Sequence, residues 1–446
     1  MVTDPTRRVR QYEDESVLTL EAPRVLARLA VLPPSTTVPY LTLSLDWRPD
    51  GSDPGREPAT APRPSERRSG SPDDGLTRRP ARQVFDREMA SLLEAHGPRG
   101  ATFDSLTADA ERISHYLDNE LDSAAQGVFI VTCSAAGVFE PLALGLPVPT
   151  RLTLAPTPAL HGLAHLIDDH PTYAVLLADQ LEATLSLVTQ ATEERSVWLE
   201  STAYPRKQKQ GGLSQRRFQA RADERVSAFA RDVAAEVRTA LDEADVDMLI
   251  LAGDEVILSA LNEVLHASVS ERIIGRLRLD IETGEQDMIA AATPLAQQAE
   301  RDREEAAVKA LSDAIGAGAL GVAGPADTLA ALQAGQVDTL LMVDDFVGLG
   351  WADYERSYYD VGAVPSSHPL AGDNDAMTVI ALEDELIRLA LITRAKVQIV
   401  HSAVPVGDAD EWDLPEPGSP QPRTPAAAWL DAVGGVGALL RFHQTD

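Results

Sequence analysis

The residues of this chain best suited to chemistry fall in one run between positions 206 and 225. Gly211 and Gly212 stand side by side in the most basic segment of a protein whose formal net charge is -30. Arg206, Lys207, Lys209, Arg216, Arg217, Arg221 and Arg225 crowd around the glycines, against only Asp223 and Glu224. Two glycines without a Cβ let a backbone approach another molecule closely, and they cannot sit in a stable helix or strand interior. Arg and Lys beside them suit phosphate oxygens, Arg through bidentate contact. Taken alone, the run reads equally as a loop that meets a polyanion and as a solvated basic turn with a helix cap.

A rigid element must carry that loop. Ser214 is placed to cap a helix by accepting from the orphan amides of its first turn. Phe218, Ala222, Val226, Phe229, Val233, Val237 and Leu241 then recur at spacings of three and four, one apolar helix face. Arg217, Arg221 and Arg225 form a second, positive stripe at i, i+4 spacing.

The remainder of the chain is ordinary globular material. Its 446 residues suffice for two to four domains, and 44% hydrophobic with 24% charged residues is typical of a soluble protein. An excess of 69 acidic over 39 basic residues argues against polyanion binding by the whole surface, which makes the local basic cluster more informative. The single cysteine, Cys133, excludes an intrachain disulfide and fits a reducing cytoplasm. No run approaches eighteen apolar residues, and the first residues lack an apolar signal core, so neither membrane spanning nor secretion is expected.

Strands are expected at 38–46, 127–133, 172–179, 183–188, 246–253, 337–343 and 395–400, with helices at 83–96, 105–123, 157–168, 254–266, 287–317 and 382–393. Residues 49–82 are rich in Pro, Gly, Ser, Asp and Arg and read as a disordered insertion. Strand, helix, buried strand ending in Gly253 and helix again is α/β logic.

Four other motifs invite functional readings. Gly316 to Gly321 spell G-x-G-x-x-G, but a helix precedes them where a dinucleotide site needs a strand, so a helix-ending turn is expected. His161 and His165 have metal-ligand spacing without an intervening Glu or a nearby Cys, and read as a packed pair. Asp344 and Asp345 read as solvated loop acids, and Cys133 as an inert core residue. No metal and no cofactor are expected.

Gly211, Gly212, Ser214, Arg217 and Phe218 resemble the tip of the middle domain in archaeo-eukaryotic class I peptide-chain release factors and their Pelota-type relatives, most closely the bacterial branch. Residues 335–343, 382–400 and 433–442 resemble the C-terminal domain of the same superfamily. The resemblance implies α/β and α+β multidomain architecture, release-factor-like in three domains with an L7Ae-like C-terminal domain. Residues 1–170 would form an N-terminal α/β domain, 171–284 the middle domain carrying the Gly-Gly loop, and 285–446 the C-terminal domain. It also implies a cytoplasmic, ribosome-associated protein whose loop enters the A site beside large-subunit rRNA and P-site tRNA. Arg206, Lys207, Lys209, Ser214, Gln215, Arg216, Arg217 and Arg221 would contact RNA. The backbone of Gly211, Gly212 and Leu213 would hold the catalytic position of a peptidyl-tRNA hydrolase. A translational GTPase is the partner the third domain implies.

Two departures bear on activity. Leu213 stands where the family has its catalytic glutamine, and the family's stop-codon-reading motifs are absent. The expected role is therefore ribosome rescue or hibernation without codon decoding, the alternative being hydrolysis by a variant Gly-Gly-Leu loop.

Overall fold

Alternation along the strands decides which face each side chain takes, and both large sheets of this protein follow it. The computed structural model describes residues 9–13, 22–48, 79–189, 192–200, 215–370, 372–403 and 423–442, with side chains described outside 9–13, 192–200 and 215–223. The chain divides into two units, one of residues 1–17 and 169–303, the other of residues 18–168 and 304–446.

The first unit is built on a six-stranded sheet. Its order is Val9–Glu13, Thr192–Glu200, Glu182–Thr189, Tyr173–Ala178, Leu249–Gly253 and Ile273–Leu277. The last three strands run parallel to one another, and the others pair antiparallel. Tyr173–Ala178 is buried throughout, as a strand covered on both faces must be. Ala174, Leu176 and Ala178 point into a core with Phe229, Val233, Val237, Ile257 and Leu261. Tyr173, Val175 and Leu177 point to the other side, against Met288, Ile289 and Ala292. The period of two thus divides one strand between two cores. Gly253 ends its strand at φ 126, where a Cβ would lie 1.9 Å from the Ala178 carbonyl oxygen.

The second unit begins with an antiparallel sheet in the order Val138–Leu144, Gly127–Cys133, Tyr40–Asp46, Arg151–Ala155. Leu41, Leu43, Leu45, Val128 and Ile130 pack on helices Pro80–His96 and Ala101–Asn119. Tyr40, Phe129, Val131 and Cys133 take the opposite face and join a core that continues through Leu340, Leu341, Leu386 and Leu430. Helix Pro80–His96 has proline in its first turn and buries Ala81 and Arg82, so the last residues of the expected 49–82 insertion belong to this helix. Residues 49–78 lie outside the described part.

The C-terminal portion holds a four-stranded sheet ordered Gly321–Ala323, Val436–Leu440, Val337–Val343, Lys396–Val400 and a three-stranded sheet of Tyr358–Val361, Leu349–Asp353 and Thr378–Ala381. Helices Pro325–Gln333, Leu382–Ile392 and Pro425–Ala432 pack on them. The protein is a mixed α/β multidomain chain. Among the described residues no helix is long and apolar enough to cross a membrane.

Candidate functional site

The segment singled out by its chemistry hangs between two well-defined elements. Strand Thr192–Glu200 leads into it, and helix Gln215–Ala244 leaves it. Gly211, Gly212, Leu213, Ser214, Arg206, Lys207 and Lys209 lie outside the described residues. Gln215, Arg216, Arg217 and Arg221 lie on the backbone of the helix, whose side chains are described from Glu224 onward.

The helix starts at Gln215, one residue beyond the serine read as its cap. Its described inward positions are Val226, Phe229, Ala230, Val233, Ala234, Val237 and Leu241, spaced as the sequence pattern required. Glu224 and Arg225 are exposed, and Val226 is the first described residue in the core. At about 1.5 Å per residue, Gln215 stands roughly 16 Å along the helix from Val226. Helical geometry puts positions 217, 221 and 225 on successive turns of one side. The far end is held as firmly. Arg272 donates to Asp242 at 2.9 Å, and the Val246 amide bonds the Leu241 carbonyl at 3.1 Å.

Strand Thr192–Glu200 is fixed as well, since it lies between two partners. Glu200 pairs opposite Glu182, next to the tight turn where the Asp179 carboxylate accepts from the amides of Leu181 and Glu182. The candidate segment is therefore flanked by an element of the six-stranded sheet and by the helix that covers it.

The other motifs resolve into structural roles. Helix Glu285–Gly316 runs straight into the glycine-rich stretch, and Gly318 turns it at φ 62 before the short strand begins at Gly321. Asp345 accepts two bonds from the Arg423 guanidinium, at 3.2 and 2.8 Å. Cys133 is fully buried, with Sγ 3.6 Å from the Val38 carbonyl. His161 and His165 stack with ring planes 10° apart and centroids 6.2 Å apart. Burial, and the neighbouring His165, hold the His161 imidazole below its ordinary pKa.

Three polar clusters escaped the sequence reading because each is completed by a residue from another element, Thr132, His368 and Tyr359 respectively. Asp109 is buried and its Oδ1 accepts from Thr132 Oγ1, the Ser134 amide and Ser134 Oγ at 2.7, 2.8 and 2.6 Å. Asp353 Oδ2 accepts from Arg356 at 2.7 Å and from His368 Nε2 at 2.9 Å. His368 Nδ1 accepts from the Leu370 amide at 3.0 Å, which fixes the ring hydrogen on Nε2. Arg388 pairs with Glu385 and donates to Tyr359 Oη at 3.0 Å, while Thr157 reaches Glu385 Oε2 at 3.4 Å. Burial, and then the Glu385 charge, push the Tyr354 hydroxyl well above the ordinary tyrosine range.

Comparison with known proteins turns on the segment that contains the loop. Residues 158–312 match bacterial archaeo-eukaryotic release factor family 10. Peptide chain release factor subunit 1 of Methanosarcina mazei is 26% identical over 305 residues, covering 64% of this chain and 69% of that one. Among solved structures, Dom34 of S. cerevisiae, described as a translation termination-like factor, aligns over 72% of this chain and 80% of its own. Its identity is 11% and the TM-score 0.37. An archaeal Pelota described as ribosome-bound with ABCE1 aligns over 69% and 73%, with 17% identity and a TM-score of 0.36.

Proposed function

We propose, from the match of residues 158–312 to bacterial archaeo-eukaryotic release factor family 10 and the likeness to an archaeal release factor subunit, that the chain is a release-factor-like, ribosome-associated protein that occupies the A site without reading a stop codon. Its task on this reading is rescue of stalled ribosomes or protection of idle ones. The observation that carries the proposal is the attachment of the Gly211–Gly212 segment to the start of a helix anchored from Val226 to Leu241. Arg206, Lys207, Lys209, Ser214, Gln215, Arg216, Arg217 and Arg221 are assigned to RNA, meeting phosphates of large-subunit rRNA and P-site tRNA. The domain division is read as N-terminal to 170, middle to 284 and C-terminal beyond, with the last domain offered to a translational GTPase.

Leu213 decides the chemistry. Its aliphatic side chain neither donates nor accepts a hydrogen bond, so it cannot orient water against an ester carbonyl. Loss of one positioned group commonly lowers a rate by about 100-fold or more. Paired glycines, in contrast, serve any loop that must bring its backbone into a narrow pocket. The protein is thus read as entering the peptidyl-transferase centre without efficient hydrolysis.

The test incubates the full chain with stalled 70S complexes carrying labelled peptidyl-tRNA in the P site. Stable binding with intact peptidyl-tRNA is expected. Release above the spontaneous rate, abolished by Gly212→Ala, would overturn the non-hydrolytic reading in favour of a hydrolase that works through its backbone amides.

A further inference from the structure

His401 follows directly on strand Lys396–Val400, and Glu304 lies within helix Glu285–Gly316. Asp168 sits in the last turn of helix His161–Asp169. Folding brings these three separate stretches of one unit together, so that a donor atom from each lies within 4.8 Å of the other two. Glu304 is only 3% exposed, and both its oxygens face His401. Oε1 meets Nδ1 at 2.6 Å, and Oε2 accepts from the His401 amide at 3.0 Å. Thr424 Oγ1 donates to the His401 carbonyl at 2.7 Å, so the histidine is held from its backbone as well as its ring.

Two further imidazoles continue the cluster. The His165 ring centroid is 6.1 Å from that of His401, and a ligand nitrogen of His165 also comes within 4.8 Å of one on His401. His161 stacks on His165 from the far side, and its Nε2 is buried without a hydrogen-bond partner. Asp168 and Glu304 thus meet His401 in a half-covered site, which places negative charge and lone pairs around one point.

We propose that Asp168, Glu304 and His401 bind one divalent transition-metal ion. Mixed imidazole and carboxylate donors suit zinc or a neighbouring first-row ion, whereas calcium and magnesium favour shells made of oxygen. The ion takes the place of the hydrogen between His401 Nδ1 and Glu304 Oε1, and that proton passes to solvent as metal binds. Metal–ligand bonds of about 2.0–2.2 Å need these two atoms to separate by a fraction of an ångström. The site's role is structural. It ties two helices to a strand end where the chain crosses out of this unit after Asp168 and returns at Glu304. No sequence motif announces it, because the donors have no local spacing.

The experiment uses the full chain, stripped with chelator and titrated with zinc. One equivalent is expected to bind and to raise the melting temperature. Asp168→Asn and His401→Ala should each weaken binding by about 100-fold or more and remove the thermal shift. His96→Ala, at an exposed histidine on another helix, should leave both intact. X-ray absorption of the zinc-loaded wild-type chain reads the same proposal without any variant, and must show a nitrogen and oxygen shell with imidazole scattering. Sub-stoichiometric binding, unchanged affinity in His401→Ala, or a shell without imidazole would reduce the cluster to an ion pair only.

Discussion

The His161 amide donates to Asp384 Oδ1 at 2.8 Å, joining the starts of two helices 223 residues apart in the sequence. Asp384 sits in a crowded acidic turn beside Glu383 and Glu385. Burial first, and then the Glu383 charge, raise its carboxyl to about 6, against the pull of that amide.

A carboxyl whose folded pKa lies above its unfolded value favours folding when protonated. Its contribution is complete below about pH 4 and is lost as pH rises through 6. Asp384→Asn keeps an acceptor for the His161 amide and removes the charge. It should stabilise the protein by about 1–2 kcal/mol at pH 7.5, with the gain fading toward pH 4. Urea denaturation of both proteins across that range measures it. A gain that grows on acidification would refute the assignment.

Asp109 is a buried carboxylate that accepts from Thr132 and Ser134 through one oxygen and from Ser105 through the other. Asp109→Ala removes the shared acceptor of the Thr132 hydroxyl and of the Ser134 amide and hydroxyl, and should destabilise by about 2 kcal/mol or more. Thermal melts would show the loss. Retention of wild-type stability would mean that water replaces the carboxylate.

Gly253→Ala sets a methyl against the Ala178 carbonyl at a φ that alanine avoids, so a loss of about 3 kcal/mol or more is expected. Gly162→Ala meets nothing within 4 Å and lies in a helix, so it should be neutral or stabilising by about 0.5 kcal/mol. Parallel melting curves separate the two, and equal effects would contradict the packing.

Reversing Arg216, Arg217 and Arg221 to Glu should abolish ribosome co-sedimentation at low salt while circular dichroism stays unchanged. On the proposed function the reversal would turn three attractive phosphate contacts repulsive, and the wild-type interaction should itself weaken steeply with added salt. Undiminished binding would move the RNA contact to another surface.

Much of the fold was legible because period and burial coincide. Gly127–Cys133 and Val337–Val343 were bounded to the residue, since each is a short apolar run closed by turn formers. The apolar face of helix Gln215–Ala244 was visible from its spacing, and Val226 to Leu241 fill it. Ile273–Leu277 escaped notice because its alternation is broken by Gly275 and Arg276, and it becomes a strand only through parallel pairing with Leu249–Gly253. Thr192–Glu200 carries Glu193, Glu194 and Arg195 and likewise owes its conformation to partners on both sides. The basic loop was conspicuous by local contrast of charge. Glu304 and His401, 97 residues apart, had no such contrast to betray them.

Of the three crossings of the chain between its units, those after Asp168 and before Glu304 bound residues 169–303, and each unit has hydrophobic cores of its own. Every buried member of the cores around Leu340 and Leu43 comes from outside 169–303, and every one around Leu176 and Val175 from within it. Residues 169–303 are thus a cassette, inserted at a point where the flanking carboxylates come within 4.8 Å of each other. A short linker could close that gap, and a loop-bearing cassette from another chain could be grafted into it. Such a graft must bring its own version of Val9–Glu13, because that strand lies on the edge of the cassette's sheet although it precedes the host unit in the sequence.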